Sequence, residues 1–99
     1  MTEPYKVTDF LMQAEILAGL AEECAELGQA ALKLRRVLNG INPTPVNAQD
    51  AIESLNEEIA DVELYLEQVA FKDYDTIRKI RNRKLARWIE RLKDRGSTE

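Results

Sequence analysis

The sequence predicts an all-α fold, an antiparallel bundle of about three main helices. Three observations carry that reading. Apolar residues recur at steps of three and four over long stretches, as one face of an α-helix requires. No stretch shows the strict apolar–polar alternation of a half-buried strand. Prolines and glycines gather in a few breaks, so the helical runs between them are long. The 99 residues fit one domain, 1–99, and so small a core is expected to be completed by oligomerisation.

The elements follow in order. Residues 1–7 form a short, poorly ordered lead with Pro4. Thr8 or Asp9 caps a first helix that runs to about Leu38, with Gly40 as its stop. Asn39-Gly-Ile-Asn-Pro-Thr-Pro-Val-Asn47 carries two prolines and a glycine, so it reads as a loop. Asn47 caps a second helix, with Asp50 in its first turn. Ile52, Leu55, Ile59, Val62, Leu66 and Val69 form one apolar stripe along it, ending near Phe71 or Lys72. Asp73-Tyr-Asp75 is a break, and Asp75 caps a third helix to about Lys93. There Ile77, Ile80, Leu85, Trp88 and Leu92 make a rougher stripe beside Arg78, Lys79, Asn82 and Arg83. Residues 95–99 are expected to fray.

Composition narrows the function classes. The chain is 44% hydrophobic and 32% charged, a soluble globular balance. Its net charge of −4 argues against nucleic acid as a partner, because the phosphate backbone demands a basic surface. The charge is uneven, acidic over residues 50–75 and strongly basic over 78–95, and such a basic segment suits a phosphorylated small ligand. Cys24 is the only cysteine, so no intrachain disulfide forms, and a reducing, cytoplasmic setting is expected. Cys24 itself reads as a small packing residue. A signal peptide or membrane-spanning run is not expected, and no membrane partner with it. The absence of histidine removes the commonest general base and the Ser/His/Asp triad.

Helix one carries an anomaly. Ile16, Leu20, Leu27, Ala30, Leu34 and Val37 fall on one stripe, and the position completing it is Glu23. Glu26 follows one turn on. Two carboxylates on an inward face repel and lose hydration, so cationic side chains or a metal ion must compensate. Glu58 and Asp61 repeat the spacing on helix two, each one residue before a stripe residue. Antiparallel packing would bring the two pairs across one gap, an oxygen-rich site suited to Mg²⁺ or Mn²⁺. A strip of small residues, Ala14, Ala18, Ala21, Ala25, Gly28 and Ala31, permits close helix approach within the subunit or across a dimer.

Glu22-Glu23-Cys-Ala-Glu26 followed by Glu58-Ile-Ala-Asp61 resembles the paired acidic motif of the all-α, MazG-like nucleoside triphosphate pyrophosphohydrolases. The likeness covers roughly residues 10–90 and is greatest to short forms from Gram-positive bacteria and their phages. It implies Mg²⁺-dependent cleavage of a nucleoside triphosphate to monophosphate and pyrophosphate, with Glu23, Glu26, Glu58 and Asp61 as metal ligands. It gives Glu22 a second metal or the attacking water. It assigns Arg78, Asn82 and Arg83 to the phosphates, with Lys79 as the alternative to Arg78 if the register slips by one. It also implies a homodimer or homotetramer. The spacer over residues 27–57 is longer than is usual in that family, and no Tyr-Pro stop follows Arg83; both differences fall on the substrate pocket. Phe10, Tyr65, Phe71 and Trp88 can stack on a base or serve as core, and Lys33, Arg35 and Arg36 can meet phosphate or only solvent. The rival readings are a non-catalytic helical interaction module and a degenerate relative that binds nucleotide without turnover.

Overall fold

The computed structural model describes residues 5–40 and 47–97. The chain is all-α, with a 3₁₀ turn at Val7–Asp9 and three long helices: α1 (Gln13–Asn39), α2 (Ala48–Gln68) and α3 (Tyr74–Ser97). No strand occurs among the described residues, and no described helix is long and apolar enough to cross a membrane.

The first helix begins later than the sequence suggests. Asp9 does not cap it, because its carboxylate accepts a hydrogen bond from the Lys6 N–H (2.9 Å) and closes the 3₁₀ turn. The helix starts again at Gln13, where the Glu15 carboxylate accepts from the Met12 N–H (3.0 Å). At the other end Gly40 takes the left-handed conformation (φ 68°) and its N–H returns to the carbonyls of Arg36 and Val37. A side chain there would be strained, so glycine is the natural terminator. Most of the proline-containing loop, residues 41–46, lies outside the described residues, as do residues 1–4 and 98–99.

Asn47 caps α2 as expected, accepting from the Gln49 N–H at 2.8 Å. The helix ends at Gln68 rather than near Phe71, because Val69 turns extended and other groups take up the terminal backbone. The Gln13 side-chain amide donates to the Gln68 carbonyl (3.0 Å) and accepts from the Ala70 N–H (2.9 Å). The Lys72 ammonium donates to the carbonyls of Glu67 and Val69 (3.0 and 2.7 Å). The start of α1 is thereby tied to the end of α2, which fixes the two helices as an antiparallel hairpin. The cap of α3 is Asp73, not Asp75: its carboxylate accepts from the Asp75 and Thr76 N–H groups and from the Thr76 hydroxyl. Asp75 lies inside the first turn, where it pairs with Arg78 at 3.7 Å on the surface. The expected frayed tail is instead helical through Ser97.

The core is thin. Ile16, Ala30, Ala51 and Val69 are the buried apolar residues among those described. The α1 stripe packs as its spacing predicts, with Leu20, Leu27, Leu34 and Val37 half-buried around Glu23. The α2 stripe is rotated off centre. Ala51, Leu55, Glu58, Val62, Tyr65 and Val69 face α1, while Ile52, Ile59 and Leu66 stay 38–44% exposed. The Tyr65 ring explains the rotation: it lies over Gly19, where an added Cβ would sit 2.6 Å from its Cζ and 2.7 Å from its hydroxyl. The small-residue strip of α1 faces solvent and does not mediate this approach, and a Cβ at Gly28 would meet nothing. Cys24, expected as a packing residue, is exposed.

Helix α3 leaves the hairpin after its first turn. Tyr74 and Ile77 line a cleft with Leu20 and Leu66, Ile80 is half-buried, and past Ile80 every side chain described on α3 is exposed. The radius of gyration, 18.4 Å, accordingly exceeds the roughly 13 Å of a compact chain this long.

Candidate metal centre

The rotation of α2 has a consequence for the acids. Glu58 turns onto the packed face, opposite the point where Glu23 interrupts the α1 stripe. Glu26, one turn beyond Glu23, reaches the same gap from its exposed edge. One carboxylate oxygen from each of Glu23, Glu26 and Glu58 lies within 4.8 Å of the others. Asp61 is half-buried beside this trio, close enough for its charge to act on Glu23 and Glu58.

The cluster is electrostatically unbalanced. One oxygen of Glu23 and one of Glu58 are shielded from solvent and have no hydrogen-bond partner. An orphaned buried acceptor forfeits its hydration and gains nothing in return. Burial is the largest influence holding both carboxyl groups above the ordinary glutamate range. For Glu23 the charges of Glu26, Asp61 and Glu58 add to it, and for Glu58 those of Glu26, Asp61 and Glu57. A hydrogen bond with Glu26 raises each further. Every side chain shifting these groups is itself acidic. A divalent cation among them would reverse each of these effects and satisfy the orphaned oxygens. With oxygen donors alone, the arrangement matches hard ions rather than zinc or copper.

The gap opens into a shallow cleft of about 360 Å³ lined by Glu26, Gln29, Ala30, Lys33, Ser54 and Glu58. Lys33 is the cation at this mouth. Its position was legible in outline, because Glu26, Gln29 and Lys33 recur at three and four on the flank of the stripe. Charge-rich spacing of that kind more often marks a solvated face, so the sequence alone did not select it.

Compared with known proteins, the chain matches no family model, no curated protein and no solved structure.

The remaining site residues are distributed as follows. Glu22 is exposed beside Glu23. Arg78, Lys79, Asn82 and Arg83 are exposed on α3, and none lines the carboxylate cleft of its own chain. Arg78 is held by Asp75, and Asn82 borders a surface hollow with Arg81, Lys84, Leu85 and Trp88 of the same helix. Of the aromatics, Phe10 stacks edge-on against Tyr5 at 5.5 Å, Phe71 and Trp88 are exposed, and Tyr65 packs on Gly19. Sequence reasoning missed two residues that set the site's geometry. Gln13 fixes the hairpin ends, and Gly19 admits Tyr65 one turn from Glu23. Gly19 had one available signal, since glycine inside a helical run costs helix propensity and needs a packing reason; Gln13 had none.

Proposed function

We propose that this chain is a divalent-cation-dependent nucleoside triphosphate pyrophosphohydrolase of the MazG-like kind, releasing a nucleoside monophosphate and pyrophosphate. One observation carries the reading: three carboxylates from two helices converge within 4.8 Å, and two of them keep a shielded, unpartnered oxygen. A surface acidic cluster with no ligand would relax outward and hydrate. Glu23 cannot do so easily, because it sits within the apolar stripe of α1.

Glu23, Glu26 and Glu58 would hold Mg²⁺ or Mn²⁺, with Asp61 completing the set. Such a cation supplies Lewis-acid stabilisation of phosphate oxygens and a template for their orientation. Lys33, at the cleft mouth, meets the phosphate charge that the carboxylates repel. Glu22 is left to orient the attacking water at the α-phosphorus. The action of Arg78, Lys79, Asn82 and Arg83 on the leaving pyrophosphate rests on the motif resemblance alone. The activity would suit cytoplasmic removal of aberrant nucleotides from the nucleotide pool.

The test is pyrophosphate release from a panel of ribo- and deoxyribonucleoside triphosphates, with Mg²⁺ or Mn²⁺ and after chelation. Glu58→Gln is expected to cut the rate at least about a hundredfold, the scale of several kcal/mol of lost charge stabilisation. Its helicity should be unchanged. Cation-dependent nucleotide binding without release would identify a non-catalytic relative. No cation binding and no release would leave a helical interaction module.

A further inference from the structure

The net charge of −4 is the sum of two unlike halves. Residues 1–73 hold fourteen Asp/Glu and five Lys/Arg, whereas residues 74–97, the span of α3, hold three Asp/Glu and nine Lys/Arg. A polyanion that the chain's average charge would repel is attracted to this one helix. Two of the α3 acids are already engaged, Asp75 with Arg78 and Glu90 with Lys93 (3.8 Å). Lys84, Arg87 and Arg91 are exposed and form no ion pair among the described residues.

The chain's single tryptophan stands among these cations. Trp88 is 59% exposed and lines a shallow hollow of about 340 Å³ with Lys84, Arg87 and Arg91 alone. The four residues are i, i+3, i+4 and i+7, so ring and cations share one face over about two turns, roughly 11 Å. The face does not suit a helix lying in a lipid surface, which keeps its cations off its apolar side. Arg81 falls inside the apolar stripe here, one turn before Leu85 and two before Trp88.

We propose that this face of α3 binds single-stranded nucleic acid, with a base stacked on Trp88 and the neighbouring phosphates on Lys84, Arg87 and Arg91. Every base has a flat face for the indole, and every nucleotide a phosphate for the cations, so the contact is independent of sequence. Stacked nucleotides rise about 3.4 Å each, and the face therefore spans about three of them. A duplex offers Trp88 no open base face, which selects for a single strand. The acidic hairpin repels the phosphates and confines the strand to α3. The inference is independent of the hydrolytic reading, because none of these four residues lines the carboxylate cleft.

The test is titration of the full chain with a short oligothymidylate in the presence of chelator, which keeps the carboxylate centre out of play. Trp88 fluorescence is expected to quench. The affinity is expected to fall with salt as a power of about −2, the slope for three neutralised phosphates on a single strand. Lys84→Gln, Arg87→Gln and Arg91→Gln together should weaken binding at least about tenfold at low salt and flatten that slope. Helicity should be retained, since glutamine is a good helix former. Trp88→Leu, followed by the anisotropy of a labelled oligothymidylate, should weaken binding about tenfold with the slope unchanged. An absence of quenching at low salt overturns the proposal, as does binding that survives the triple substitution or is equally tight for duplex. A Trp88 response to phosphatidylglycerol vesicles with none to oligothymidylate overturns it in favour of a lipid surface.

Discussion

The hairpin and α3 begin from the same kind of sequence, an apolar stripe at helical spacing, and end in different surroundings. In the hairpin each stripe has the other helix to pack on, and Ile16 is fully buried. In α3 the stripe past Ile80 is exposed among the described residues, with Trp88 at 59%. Periodicity marks a face that needs covering without naming what covers it. The second difference is in charge. The hairpin turns acids inward at Glu23 and Glu58, where every side chain shifting them is acidic, while α3 keeps its cations on the surface. One region stores an electrostatic imbalance and the other an unburied face. The cation proposed above would relieve the first.

The comparison can be broken first at the core. Ile16→Ala should cost roughly 2–5 kcal/mol in chemical denaturation, because it opens a cavity where the hairpin has its one large fully buried side chain among the described residues. A loss below about 1 kcal/mol would mean that the hairpin is no better packed than α3. Gly19→Ala comes next. Its methyl would collide with the Tyr65 ring, so a destabilisation of about 1–3 kcal/mol is expected, with weaker Mg²⁺ binding by calorimetry as Tyr65 pushes α2 away. At the entrance to α3, Asp73→Ala removes three hydrogen bonds and should cost about 1 kcal/mol, seen as lost helicity confined to α3 by hydrogen exchange.

Acid titration sharpens the electrostatic half. Glu23 and Glu58 are raised above 4.5 in the folded chain, chiefly by burial. The folded state therefore binds their protons more tightly than the unfolded chain does. Their contribution to stability is full below about 4.5 and is lost as the pH rises through the raised folded values. Asp73 acts in the opposite sense. The hydrogen bond from the Thr76 side chain lowers it below 3.8, so its contribution holds above that value and fails as the pH falls further. The metal-free protein should thus melt higher near pH 5 than at pH 7.5. Glu23→Gln or added Mg²⁺ should flatten that dependence. A melting temperature independent of pH in the wild-type apoprotein would refute the inward placement of these acids. The smallest effect belongs to Lys33→Ala, expected to raise KM for the triphosphate several-fold with kcat little changed.

Much of this molecule was readable before folding. The α1 stripe, the Gly40 stop, the Asn47 cap and the position of Glu23 within an apolar face depend on residues a few places apart, so local spacing determined them. Helix ends that depend on distant groups were misjudged: α2 stops at Gln68 because Gln13 and Lys72 take its last carbonyls, and neither is visible as a local signal. Tertiary structure alone decided that α2 turns about Tyr65 and Gly19, which moves Ile59 outward and Glu58 inward. It decided too that α3 stands apart, carrying Arg78, Lys79, Asn82 and Arg83 away from the acids. The physical reason is the same in both cases. A side chain's period fixes which face it shares, but how far that face rotates toward a neighbour depends on which ring fits over which glycine.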